Sequence, residues 1–273
     1  TSNGGCERLM TKIGNLRRKI EKKLGDWIIK NEEKLLNLTF NLMLENEKRE
    51  SLSQKVKYYF GKLASKIIAG RLWGGVVVPV NYTIEPTTHF LSSEEVIEIA
   101  KHSKIRAIGE CYCRKKYGDP IGLPLRTCMW FSESTYLLDL IEEHKVPDID
   151  LRPVTLEEIE KTLKMCDEAG LVHLAIFFPS RQNIYVICNC HPTSCIVLKA
   201  YLKHGVRALV KSNFIIDYNP EKCINCQTCI QRCYFNAIKQ DPQGKIKIIK
   251  ENCVGCGLCV STCPTKALRL VKR

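Results

Sequence analysis

The chain has 273 residues, 42 Lys/Arg against 29 Asp/Glu, a formal net charge of +13 and 16 cysteines. With 45% apolar and 26% charged residues, its composition is that of a globular protein. Wholesale disorder and collagen-like structure are excluded. No run of about 18 apolar residues occurs, so no transmembrane helix is expected, and no charged leader with an apolar core marks a secretory signal. The cysteines fall in short-spaced groups. That pattern points to thiolates on metal in a reducing cytoplasm rather than to disulfides.

Charge is unevenly spread. Residues 1–75 carry 16 Lys/Arg against 8 Asp/Glu, and residues 205–273 carry 12 against 4, while the middle is slightly acidic. The C-terminal excess can offset the negative charge of metal–thiolate groups. The N-terminal excess suits an acidic partner, an anionic membrane surface or nucleic acid.

Three regions are expected, in an α+β chain: a basic helical region over 1–75, a small α/β cysteine-rich domain over 76–205 and a C-terminal domain over 206–273. In the first, Leu9, Ile13, Leu16, Ile20, Leu24 and Trp27 recur at helical spacing within 7–49. Leu52, Val56, Tyr59, Phe60, Leu63 and Ile67 continue the pattern to about 69. Such amphipathic helices pack on their own core, dock on a partner subunit or lie on a membrane surface, and packing on their own core is the expectation for both patterns. Val76–Ile84 then reads as a strand, with Pro79 favouring a sheet edge. Ser92–Glu95 and Thr155–Glu158 are capping boxes that open helices, and Gly170 suits a helix C-terminus. Strands are predicted over Ile105–Ile108, Leu171–Phe178 and Asn183–Ile187, and helices over Glu133–His144 and Ser194–His204. The turn sequence Asp241–Gly244 marks a hairpin, and 217–239 repeats in outline at 247–270.

The C-terminal repeat carries the strongest signal. Cys223, Cys226, Cys229 and Cys233 stand in C-x2-C-x2-C-x3-C order, and Cys253, Cys256, Cys259 and Cys263 repeat it, with Pro264 following. Three cysteines at intervals of three wrap a tight turn and converge on one cube. The fourth sits on the next helical turn and ligates the other cluster. One cluster therefore takes Cys223, Cys226, Cys229 and Cys263, and the other Cys253, Cys256, Cys259 and Cys233. Gly255 and Gly257 let the second loop's backbone approach sulfide. Zinc would call for two CxxC pairs per ion, which this order does not follow.

On these motifs, residues 214–273 resemble the bacterial two-cluster 4Fe-4S ferredoxin family. The resemblance implies a pseudo-twofold βαβ fold with two 4Fe-4S clusters. Tyr234 departs from it, standing where the second copy has Pro264.

Six cysteines of the middle region form a second group: Cys111, Cys113, Cys128, Cys188, Cys190 and Cys195. Both CxC pairs follow predicted strands. In extended chain, residues i and i+2 point the same way, roughly 6–7 Å apart. That separation suits two irons of a cluster better than one small ion. A third Fe–S cluster, buried core thiols, zinc and a redox disulfide are the alternatives. Cys111–Arg114, Pro124–Cys128 and Cys188–Cys190 resemble the CxCR, PLxxC and CNC elements of a family of 4Fe-4S dicluster proteins found mostly in anaerobes. His191, Thr193 and Ser194 stand where that family has further cysteines.

No phosphate-binding glycine loop, no HExxH and no Gly-x-Ser-x-Gly occurs, and no RNA-binding aromatic motif. No catalytic residue is assigned. The expected role is an electron-transfer protein or subunit that serves a partner oxidoreductase, in the cytoplasm and with peripheral contact at the cytoplasmic membrane face left open. A reductase with a substrate-accessible cluster at the central Cys/His site and a cluster-based redox sensor are the alternatives.

Overall fold

The computed structural model describes residues 38–68, 75–77, 96–132, 135–142, 149–176, 184–207 and 209–273. The capping box at Ser92–Glu95, most of the 7–49 pattern, Cys6 and Pro79 lie outside the described residues. Two compact units are present. One comprises 1–68 with 178–182, and the other 69–177 with 183–273.

In the first unit, residues 38–44 are helical and the chain breaks before helix α1, Leu52–Ile68. The break contains Arg49 at φ 57°. Tyr58, Gly61 and Ser65 form the buried side of α1. Gly61 faces the 39–43 backbone so closely that a Cβ would stand 2.7 Å from the Met43 nitrogen. The apolar stripe of α1 does not form that buried side. Leu52, Val56, Tyr59, Phe60, Leu63 and Ile67 are all exposed, which corrects the expectation that they pack on their own core.

The second unit contains a seven-stranded sheet in the order β4-β2-β3-β6-β5-β1-β7. Its strands are β1 Gly75–Val77, β2 Ile105–Glu110, β3 Arg126–Ser132, β4 Arg152–Pro153, β5 Val172–Ile176, β6 Ile184–Cys190 and β7 Leu209–Val210. Every pairing is antiparallel except β1 with β7. The cysteine-rich region is therefore α+β rather than the α/β domain expected. The described part of the first strand also sits one place inside the edge, between β5 and β7. Helices α2 (Val96–His102), α3 (Tyr112–Tyr117), α4 (Tyr136–Glu142), α5 (Leu156–Glu168) and α6 (Ile196–His204) join the strands. Val96, Ile97 and Ala100 of α2 and Ile159 and Leu163 of α5 bury against Ile108, Met129, Phe131 and Ile187 of the sheet. The Thr155–Glu158 capping box forms as expected, and Gly170 follows α5 at φ 83°.

The C-terminal region repeats itself at an offset of 30 residues. The 3-10 turn Pro220–Lys222 corresponds to Lys250–Asn252, and helix α7 (Thr228–Arg232) to α8 (Leu258–Ser261). Left-handed backbone recurs at the same offset: Asn225 with Gly255, Gln227 with Gly257, and Asn236 with Lys266. Strands β8 (Phe214–Tyr218) and β11 (Leu268–Lys272) pair, as do β9 (Ile238–Gln240) and β10 (Ile246–Ile248), which form the expected hairpin. Ile216, Ala237, Ile238, Ile246 and Leu268 bury between the two ribbons together with Cys229 and Cys253.

Gly255 is the tightest point of the repeat. At φ 74°, an added Cβ would stand 2.1 Å from Ser212 Oγ and 2.3 Å from the Phe214 carbonyl oxygen. Gly255→Ala is expected to cost roughly 1–3 kcal/mol through strain and displacement. Asn225→Gly, at the equivalent but exposed position, is expected to stay within about 0.5 kcal/mol of wild type. Anaerobic thermal unfolding of the two variants checks the contrast.

Candidate iron–sulfur sites

The cysteines of the C-terminal loops line two cavities. Cys223, Cys226, Cys229 and Cys263 surround one. Cys233, Cys253, Cys256 and Cys259 surround the other. These are the two crossed sets expected from the spacing. The crossing arises because each fourth cysteine follows the short helix of its own loop and meets the opposite loop. In each copy the fourth sulfur accepts a hydrogen bond from an amide four residues on: Ala237 to Cys233 at 3.4 Å and Ala267 to Cys263 at 3.2 Å. The Asn225 amide donates to Cys223 Sγ at 3.4 Å, and the Thr228 hydroxyl to Cys226 Sγ at 3.5 Å.

The two loops differ in cover. Residues 224–228 of the first are all exposed, whereas Val254, Gly255, Gly257 and Leu258 of the second are buried. The chain between β7 and β8 lies over the second loop. The Ser212 amide donates to the Val254 carbonyl at 3.0 Å, and its hydroxyl to the Gly255 carbonyl at 3.0 Å. Lys211 reaches the Glu251 carbonyl, and Arg273 donates to the Cys253 carbonyl at 2.6 Å. Burial pushes Cys229 of the first loop up to about 11. Contact with Thr228 lowers Cys226, whereas burial pushes Cys256 up to about 12.

All six central cysteines come together. Cys111 contacts Cys128, Cys128 contacts Cys188, Cys188 contacts Cys190, Cys190 contacts Cys195, and Cys195 contacts Cys113. Cys111 and Cys113 share one turn of chain, which closes the ring. Cys188 and Cys190 lie in β6, extended as expected, and side-chain alternation sets them on one face with Asn189 on the other. The first CxC pair differs from expectation. Cys111 caps α3 and Cys113 lies in its first turn, so this arm is helical rather than extended. Cys195 caps α6. The Ser194 hydroxyl donates to the Gly118 carbonyl at 2.8 Å and ties the two arms.

Cys111, Cys128, Cys190 and Cys195 are buried. Contact with Cys128 and Cys190 holds Cys188 down at about 6, and contact with Cys113 and Cys190 holds Cys195 well below the ordinary thiol range. Their partners are driven the other way: Cys190 by contact with Cys188 and Cys195, and Cys113 by contact with Cys195 and burial. All fifteen described cysteines are free thiols. Among the described residues, no group of three or more Cys, His, Asp or Glu is placed to hold a single metal ion, and that is as true of the dicluster loops as of this ring.

A buried polar clamp holds the ring's supports, and the sequence reading missed it. Arg114 is 2% exposed and donates to the Leu123, Pro124 and Leu125 carbonyls and to Thr127 Oγ1, at 2.7–3.3 Å, with Asp119 completing its partners. Asn189 donates to the Thr127 carbonyl at 2.5 Å and shares a 2.5 Å hydrogen bond with His173. His173 Nε2 lies 4.0 Å from Asp167 Oδ1. Burial lowers the His173 pKa despite Asn189 and Asp167, so the ring is neutral. Arg114, Thr127 and Asn189 each adjoin a ring cysteine in sequence, which is the signal that could have found them.

The ring's surroundings meet the end of the first copy, around Cys233. His191, next to Cys190, stacks edge-on against Tyr234, next to Cys233, with centroids 5.7 Å apart. Tyr234, the residue standing in place of proline, is thus a contact residue, and its hydroxyl lies over Gly170. Arg232 donates to the Asp167 and Glu168 carbonyls at 2.7 and 2.5 Å. His191 Nδ1 is engaged by Thr193, and burial lowers its pKa.

This is a chain whose C-terminal end carries a duplicated, ferredoxin-type cysteine site. Residues 216–270 match the family model of the 4Fe-4S dicluster domain. That domain holds two 4Fe-4S clusters and supports an iron–sulfur electron-transfer role. No curated protein matches the chain. Among the described residues, no helix is long and apolar enough to cross a membrane.

Asn189→Ala would strip Thr127 and His173 of buried partners. Each orphaned group costs about 1–3 kcal/mol. The variant is expected to melt well below wild type, as read by thermal unfolding, whereas His191→Ala, at a part-exposed turn, is expected to stay within about 1 kcal/mol.

Proposed function

We propose that the chain is an electron-transfer protein or subunit with three iron–sulfur sites. Two are the crossed sets: Cys223, Cys226, Cys229 and Cys263, and Cys253, Cys256, Cys259 and Cys233. The third is the ring of Cys111, Cys113, Cys128, Cys188, Cys190 and Cys195. When bound, the clusters supply reversible one-electron oxidation and reduction. The observation that carries this reading is the ring itself. Six sulfurs from three separate stretches converge in a largely buried site, which is a soft donor set suited to iron–sulfur ligation.

The protein's part is to hold, cover and join the sites. The ring is shut in by the sheet and the polar clamp, which favours relay over chemistry on a substrate. The His191–Tyr234 contact links it to Cys233, which belongs to the second crossed set. The first loop, with Cys226 and Ile224 exposed, is the side left open for a redox partner. The cytoplasm, where thiols stay reduced, is the compartment this cysteine usage fits.

Iron and acid-labile sulfide on anaerobically purified protein test the reading. About twelve of each per chain is the expected result, falling to about eight in Cys190→Ser with the two ferredoxin signals retained in EPR. About eight in wild type, unchanged in the variant, would overturn the third site. Cys226→Ala is expected to lose one ferredoxin signal and leave the central site intact.

A further inference from the structure

Helix α1 has its faces reversed relative to an ordinary surface helix. Its small, buried side, Tyr58, Gly61 and Ser65, packs inward, and the Tyr58 ring is held by Arg49 and Lys62 at 4.8 and 5.8 Å. The opposite side carries Leu52, Val56, Tyr59, Phe60, Leu63 and Ile67, each 58–78% exposed. At spacings i, i+4, i+7, i+8, i+11 and i+15 they form one stripe about 100° wide along the helix. A stripe of this size on a surface marks an interaction site.

We propose that α1 seats the chain on an anionic lipid surface. The charge on the helix selects this occupant. It carries Lys55, Lys57, Lys62 and Lys66 and no acidic residue in 17 positions. On a helical wheel Lys55, Lys62 and Lys66 run along one margin of the stripe and Lys57 lies beyond the other. There, long lysine stems let the stripe enter the acyl boundary while the ammonium groups meet headgroup phosphates. Protein interfaces are depleted in lysine, which argues against a partner protein on the same face. Tyr59 and Phe60 at mid-helix supply the aromatic contact such helices use at the boundary, and Tyr59 is braced edge-on by buried Tyr58 at 5.2 Å. The whole 1–75 region shares the positive sign, with 16 Lys/Arg against 8 Asp/Glu.

The test is flotation of the full-length, anaerobically purified protein with vesicles of phosphatidylcholine alone or with phosphatidylglycerol added. Binding is expected on the anionic vesicles, falling steeply with added salt and weaker by roughly fivefold for each lysine changed to glutamine. Phe60→Glu with Leu63→Glu, both exposed, should abolish binding with iron content unchanged. No binding to anionic vesicles at low salt would overturn the proposal. So would wild-type binding that Phe60→Glu/Leu63→Glu leaves intact, since another basic segment would then carry it. Light scattering that shows a dimer dispersed by the same double variant, without vesicle binding, would assign the face to a second copy instead.

Discussion

Enclosing six sulfurs in one site sets the terms for the cysteine-rich half of the second unit. Ionising several buried thiols together is costly unless positive charge compensates them. As thiols they alternate instead, with Cys188 and Cys195 held low and Cys113 and Cys190 pushed up. The Arg114 guanidinium bears on Cys111 and Cys128 and favours their charged forms. Its own hydrogen bonds all run to the loop Asp119–Thr127, so the cation that tunes the ring also fixes the segment that delivers Cys128. Metal-bound thiolates, as in the third site proposed, would compensate the charge of several ionised sulfurs.

The same constraint explains why the two halves of the dicluster domain are unequal. Their backbones repeat closely, down to paired left-handed residues. Glycine is needed only in the second copy, where Ser212 and Phe214 press on Gly255. Asn225 and Gln227 serve in the first, where nothing approaches. The second loop is thus covered by the Ser212–Phe214 segment, and the first stays open.

How much of this was legible in the sequence depended on how local the cause was. The eight dicluster cysteines, their crossing and the hairpin were readable because ligand spacing and turn residues act within a few positions. The central ring was readable as a set of candidates only. Cys111 and Cys190 are brought together by sheet pairing across most of a domain, and a CxC pair looks the same whether it continues a strand or opens a helix. Arg114, Thr127 and Asn189 of the polar clamp stand beside ring cysteines in sequence, but their meeting with His173 and Asp167 rests on tertiary contacts. Periodicity also reported correctly that α1 is amphipathic while saying nothing about which face the fold would cover. Packing against 39–43 through Gly61 settled that the other way.

The most direct test of the account is a crystal structure of the anaerobically purified protein with anomalous diffraction at the iron edge. The account predicts three iron sites, one within each crossed set and a third inside the ring of Cys111, Cys113, Cys128, Cys188, Cys190 and Cys195. Iron confined to the two crossed sets, with the ring holding zinc, a disulfide or only thiols, would contradict it.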